Sequence, residues 1–174
     1  MPALRVSPTL ADQAHPVAIA LGANLPSAAG LPPQTLIAVR PLLEQLLSDW
    51  AQASQREIRC SWSPLIETAP VGGPPGQPDY CNAVVLCDGV QRQATQAAAF
   101  QLLTELHQLE RRFGRDRDLE SQWGPRTLDL DLLFWGEWRL DHPRLVLPHP
   151  RLHLRQFVLE PLLAAMQRSA DWRS

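Results

Sequence analysis

The stretch WGPRTLDLDLLFWG, Trp123 to Gly136, sets the reading of the whole chain. Residues 127–134 within it alternate apolar and polar and then run apolar, the period of a half-buried β-strand. Leu128, Leu130 and Leu132 then face one side. Asp129 and Asp131 face the other, about 6.7 Å apart along the strand. Two carboxylates fixed on one face of a rigid element pack poorly against a core and cradle hard divalent cations well. Mg²⁺ takes oxygen ligands, often one or two carboxylates plus substrate phosphates. Arg126, just upstream, could reach a phosphate held there. The strand reads as the floor of a phosphate-and-metal site. A solvated edge strand would show the same alternation; the flanking Trp, Gly-Pro and Arg set this one apart.

Working outward, residues 17–21 (VAIAL) form a short apolar strand closed by Gly22-Ala23-Asn24. Residues 33–50 carry apolar positions at helical spacing, and Pro41 among them predicts a kink or a late start. Residues 57–68 read as one strand and residues 80–87 as another, separated by a loop dense in Gly and Pro. Residues 94–113 form the clearest helix: Leu102, Leu103, Leu106, Leu109 and Phe113 make its stripe and Gly114 ends it. A charged loop leads to the Asp-bearing strand. Gly136-Glu137 between Trp135 and Trp138 predicts a tight hairpin, residues 144–150 are irregular or a short strand, and residues 152–166 are helical with Pro161 interrupting them. The order is the split β-α-β-β-α-β unit. It predicts an α+β, ferredoxin-like fold: a mixed, mostly antiparallel sheet with packed helices, an extra hairpin and a C-terminal helix.

The 174 residues suit one domain, here residues 17–174, preceded by an N-terminal extension over residues 1–16. A net charge of −2 gives no sign of a nucleic-acid or membrane binder. There is no apolar run long enough to span a bilayer, and residues 1–16 lack the pattern of a signal peptide. Cys60, Cys81 and Cys87 show no metal-type spacing, and free, reduced thiols in a cytoplasm are the expectation. All sixteen basic residues are arginine. With no lysine, a P-loop lysine or a Schiff base is ruled out. Any grip on phosphate must come from Arg, His, backbone N–H groups and metal.

Several further groups could serve such a site. Arg115, Arg117 and Arg126 flank the Asp strand on a loop, where guanidinium groups could grip phosphate oxygens bidentately or merely lie solvated among Asp116, Asp118 and Glu120. His107 and Glu110, three residues apart on a helix, share a face that could meet a ribose or base, or only solvent. Tyr80 can stack on a flat ring, Asn82 offers a donor and an acceptor to a heterocycle edge, and Thr68 sits at the loop's other shoulder. Trp123 is a second stacking candidate or a core residue. His142, His149 and His153 could be read as zinc ligands, but no cysteine has matching spacing. Arg144, His149 and Arg155 read better as a second basic ring for phosphates or ribose.

Together, ALGANL, GQPDYCNAV, WGPRTLDLD and LPHPRLHLRQFVLEPL, in this order and spacing, resemble the 6-hydroxymethyl-7,8-dihydropterin pyrophosphokinases. The match runs from about Val17 to about Met166. The resemblance implies transfer of the β,γ-diphosphate of ATP, the co-substrate, to the hydroxymethyl group of the pterin, with release of AMP and the help of two Mg²⁺ ions. It implies metal binding by Asp129 and Asp131 and action of Arg115 and Arg126 on the transferred phosphates. It further implies ATP contacts from His107, Glu110, Arg117, Arg144, His149 and Arg155. Trp123 and Phe157 would sandwich the pterin, and Thr68, Val71, Tyr80 and Asn82 would meet its edge. His107 stands where glutamine is common in the family. Closure of residues 69–79 and 114–125 over the substrates is expected to keep water out.

The partners so implied are small molecules, with no nucleic acid or membrane and a monomeric protein. Two rivals stand beside this reading. A metal-dependent phosphohydrolase would use the Asp pair and the arginines but not the set shaped for a flat heterocycle. A catalytically weak pterin- or nucleotide-binding protein would keep the aromatics and need no paired carboxylates.

Overall fold

The structure, a computed structural model, describes residues 15–51, 58–118 and 124–171. Strand β1 (His15–Ala23) lies at the centre of the main sheet, and its apolar run explains why: Val17, Ala18 and Ile19 are all fully buried, so both of its faces are covered. Helix α1 (Pro32–Ala51) leads to β2 (Arg59–Trp62), β3 (Ile66–Thr68) and the long β4 (Tyr80–Val90). Helix α2 (Gln96–Arg112) then leads to β5 (Asp129–Trp135). The order across the sheet is β2-β4-β1-β5, with β3 also on β4, and all of these pairs are antiparallel. That is the split arrangement the element order predicts: β4 inserts between β1 and β2, and β1 between β4 and β5.

The sheet has helices on both faces. Leu128, Leu130 and Leu132 join Ile19, Leu21, Leu36, Leu43, Leu102 and Leu106 in the larger core, under α1 and α2. On the opposite face Val158, Leu162 and Ala165 of α3 (Gln156–Asp171) pack on Ala18, Val84, Leu86 and Leu133. A register shift on β5 lets it serve both: Ala18 pairs with Phe134 but Ile19 with Leu132, so Leu133 is an extra residue. This bulge turns Leu133 toward α3 and returns Trp135 to the larger core.

Several boundaries differ from the sequence reading. The described part of the single strand expected over 57–68 forms two, Arg59–Trp62 and Ile66–Thr68, because Pro64 has no N–H for the ladder. Ser63 Oγ fills the gap, accepting from the Val84 N–H at 2.9 Å. Helix α1 does not start late: it begins at Pro32 and runs through Pro41. Pro41 leaves the Ile37 carbonyl without its helical donor, on the solvent side where Ile37 is exposed. Pro161 likewise sits inside a continuous α3, which is preceded by a 3-10 turn at Leu152–Leu154.

The Trp135-Gly136-Glu137-Trp138 turn closes as an isolated antiparallel bridge. Gly136 adopts φ 53°, and any Cβ there would meet the His15 ring at 2.9 Å. The chain beyond it forms a separate two-stranded sheet of β6 (Leu140–His142) and β7 (Leu145–Leu147).

The expectation of three free thiols fails. Cys60 on β2 and Cys87 on β4 stand directly opposite each other with Cα atoms 4.2 Å apart and are joined as a disulfide; Cys81 is free and buried. Their odd spacing in the chain conceals a cross-strand pair that only the β2–β4 register creates. No described helix is long and apolar enough to cross a membrane.

Candidate active site

Helix α3 covers only part of its face of the sheet, and the remainder is the floor of a cleft holding about 780 Å³ of solvent space. The floor is shallow because the central strand contributes small residues there. Ala20 pairs with Asp131 on one side and Val84 on the other; Gly22 pairs with Asp129 and with Asn82. Asn82 and Asp129 therefore flank Gly22 across two strand spacings, about 9.5 Å. A Cβ on Gly22 would stand 3.3 Å from Asn82 Oδ1, so the bare backbone keeps this floor open.

One end of the cleft is built for a flat polar ring. Asn82, almost fully buried, donates through Nδ2 to Thr68 Oγ1 at 2.8 Å, which fixes both side chains. Tyr80 donates its hydroxyl to the Gly124 carbonyl at 3.2 Å, and burial raises its pKa. Val71, on the Gly/Pro loop, is 76% exposed at the rim. Phe157, in the first turn of α3, lines the opposite wall with the Arg155 guanidinium over its ring at 5.5 Å. Trp123 lies outside the described residues.

The other end is charged. Asp129 and Asp131 share the cleft face of β5, as the alternation requires. Asp129 is clasped by arginines: Arg115 donates to Oδ1, and Arg126 Nη1 to Oδ2 at 3.0 Å, while Arg117 Nη2 stands 3.8 Å from Oδ1. Burial works against ionisation there, but Arg115 and Arg126 outweigh it and hold the carboxyl below the usual range. Asp131 has Arg155 at 3.8 Å. Burial first, and then the adjacent Asp129 charge, push its pKa up to about 7.

Glu110 organises the arginines. It is fully buried on α2 and accepts from Arg115 Nη1 at 2.8 Å, from Arg117 Nε at 2.7 Å and from the Leu130 N–H at 2.8 Å. One carboxylate thus ties α2, the arginine loop and the β5 backbone together. Arg115 is itself buried and also donates to the Leu128 carbonyl at 3.2 Å. His107, one turn earlier, has its pKa lowered to about 4, chiefly by burial and then by Arg117 and Arg115. His149 is lowered too, by burial and then by Arg155 and Arg151. Arg144 sits at the β6–β7 turn with its guanidinium 4.5 Å over the Phe100 ring.

A model of the 7,8-dihydro-6-hydroxymethylpterin-pyrophosphokinase family matches residues 18–167. The chain belongs to this family. It is similar to the 2-amino-4-hydroxy-6-hydroxymethyldihydropteridine pyrophosphokinase of Synechocystis sp., with 36% identity over 96% of this chain and 73% of the relative. It is similar to the protein of that name from Haemophilus influenzae, with 35% identity over 83% of this chain and 77% of the relative. The one from Pseudomonas aeruginosa is 46% identical over 64% of each.

For a pyrophosphokinase of this family, sequence reasoning missed three parts of the cleft. Ala20 and Gly22 form its floor; their signal was the run of small residues ending the first strand. Arg151 lines the cleft beside Arg155; its signal was the odd-numbered series His149, Arg151, Arg155. Asn24, buried at the end of β1, is a joint. Its Oδ1 accepts from the Arg126 N–H at 2.8 Å and its Nδ2 donates to the Pro78 carbonyl at 3.1 Å. It thereby holds the start of the Asp strand and the Gly/Pro loop to one point.

Proposed function

We propose that the chain transfers the β,γ-diphosphate of ATP, as one unit, to the hydroxymethyl oxygen of 6-hydroxymethyl-7,8-dihydropterin. The products are AMP and the pterin diphosphate used in folate biosynthesis. Membership of the family supplies the activity and ATP as co-substrate. The observation that carries it onto these residues is the floor around Gly22. Groups suited to a pterin edge stand on one side of it and the paired carboxylates on the other, within one cleft.

Asp129 and Asp131 would hold Mg²⁺, and we take the number of ions to be two. Among the described residues no third His, Cys, Asp or Glu completes a closed metal cluster. That donor set suits Mg²⁺, which fills the rest of its shell with water and substrate phosphates. Burial and the Asp129 charge disfavour the ionised form of Asp131, which Arg155 at 3.8 Å offsets only in part, and a cation would favour that form further. When bound, the metal neutralises polyphosphate charge and lowers the pKa of the attacking hydroxyl.

The chain's own residues do the positioning. Thr68, Asn82 and Tyr80 orient the pterin edge, and Phe157 packs on the ring; Trp123 is the other stacking group of this reading. Arg126, now on Asp129 Oδ2, can pass to a phosphate oxygen, and that exchange frees Oδ2 for metal while Arg115 stays on Oδ1. Arg115 and Arg117 are held on Glu110 and Asp129, so a phosphate drawing on either guanidinium competes with those carboxylates. His107, His149, Arg144 and Arg155 complete the nucleotide side. Transfer of this kind needs alignment and charge neutralisation more than covalent help, and no side chain is assigned as general base. The working unit is taken as a cytoplasmic monomer of one domain that uses small-molecule substrates.

A product assay tests this. With ATP, Mg²⁺ and 6-hydroxymethyl-7,8-dihydropterin, AMP and the pterin diphosphate form one-for-one, and no AMP forms without the pterin. Formation of ADP, or of pterin-independent phosphate, would overturn it.

A further inference from the structure

We infer that Arg151 is a further phosphate-holding residue of this cleft, gripping the diphosphate during transfer and in the product. The inference rests on the pyrophosphokinase reading and adds a residue to it. The backbone of Arg151 is fixed on both sides. Its N–H donates to His149 Nδ1 at 3.2 Å, and its carbonyl accepts from the Leu154 N–H at 3.1 Å. This turn is tied to the Asp strand itself, because the His149 N–H donates to the Leu133 carbonyl at 2.7 Å. Leu133 is two residues beyond Asp131, so the turn that carries Arg151 is anchored at the Leu133 end of the carboxylate pair. Arg126 approaches it from the Asp129 side.

The side chain of Arg151 lines the same cleft as Asp129, Asp131, Arg126 and Arg155. The chain has no lysine, so a planar fork is its means of binding phosphate with a full positive charge. The three other arginines near Asp129 are held in its clasp, at 3.8 Å or less, and Arg151 adds one more fork to the wall of the same cleft. The His149 bond adds direction. With Nδ1 accepting from the Arg151 amide, the neutral imidazole carries its proton on Nε2 and keeps a donor there.

Calorimetry on the full chain with Mg²⁺ tests this with two probes, 6-hydroxymethylpterin diphosphate and 6-hydroxymethylpterin. Arg151→Ala is expected to weaken the diphosphate by about tenfold or more and the phosphate-free pterin by less than about twofold. Arg151→Lys keeps the charge but loses the fork, and should fall between wild type and Arg151→Ala for the diphosphate alone. Equal weakening of both probes would make Arg151 a wall of the pterin pocket and overturn the inference, as would no weakening of either. If Arg151→Ala melts early, Arg151→Lys decides alone: a selective loss of about threefold or more supports the inference, and none overturns it. A wild-type chain that binds neither probe would overturn the pyrophosphokinase reading itself, an outcome separate from the others.

Discussion

The two faces of the central sheet were given different side chains and do different work. Under α1 and α2, β1 presents Val17, Ile19 and Leu21 and β5 presents Leu130 and Leu132, and these close against Leu36, Leu43, Leu102 and Leu106. On the other face the same strands present Ala18, Ala20 and Gly22, then Asp131 and Asp129. Helix α3 packs over Ala18 and Leu133 and along β4, leaving the Gly22–Asp129 end to the cleft. One face buries large aliphatic groups and supplies stability. The other is left short of side-chain volume and short of helix, and the space so made is the cleft. The difference teaches that the site is placed by what the sheet omits as much as by what it carries.

The comparison breaks most sharply at Asp131. Asp131→Asn removes a proposed metal ligand on the open face, and turnover should fall by two to three orders of magnitude in steady-state assays. Stability should move the other way. A carboxyl raised to about 7 in the folded chain is an unfavourable contribution that grows as pH rises from about 4 toward 7. At pH 8 without nucleotide, the melting temperature of Asp131→Asn should hold or rise; a clear drop would make Asp131 structural.

Leu102→Ala makes the opposite test on the closed face. Leu102 is fully buried, so truncation should cost about 2–5 kcal/mol in denaturant unfolding. The folded fraction should turn over at nearly the wild-type rate. Gly22→Ala probes the boundary: with its Cβ 3.3 Å from Asn82 Oδ1, pterin affinity in calorimetry should drop by about tenfold. Its melting temperature should change little, and unchanged affinity would detach the pterin from this floor.

The smallest effect is at His107. Its pKa in the folded chain, about 4, lies below the unfolded 6.5, so below pH 6.5 the unfolded chain takes up a proton that the folded chain refuses. The stability it contributes is present above pH 6.5 and is lost as pH falls toward 4. His107→Gln should lose less stability than wild type between pH 7 and pH 4.5, by denaturant midpoints. Equal losses would show that His107 is not held neutral.

Much of this was written locally. Leu128 to Leu132 could be assigned to two faces because successive side chains on a strand point to opposite sides. The α2 stripe and its Gly114 stop were legible for the same kind of reason, a period set by backbone geometry. The break at Pro64 could have been read from the missing N–H, whereas Pro41 and Pro161 misled because packing against the sheet sustained both helices. Glu110 was visible as one residue of a helical pair. Its burial under two arginines and the Leu130 amide was not, because those partners lie 5 to 20 residues away in the chain.

By itself, then, the sequence determined the order of the main elements, the carboxylate pair on one face of β5 and, through its motifs, the family, while the split of β2 from β3 was not among them. The tertiary structure decided which residues meet. Strand order put Cys60 against Cys87, Gly22 between Asn82 and Asp129, and Asn24 between two loops. The extent of α3 decided that the cleft stays open, and the turn at His149 brought Arg151 to it. The physical reason is one of range. Alternation and helical period follow from the dihedral geometry of a few neighbouring residues. Register, burial and the field at a carboxylate follow from groups far apart in the chain that only packing brings together.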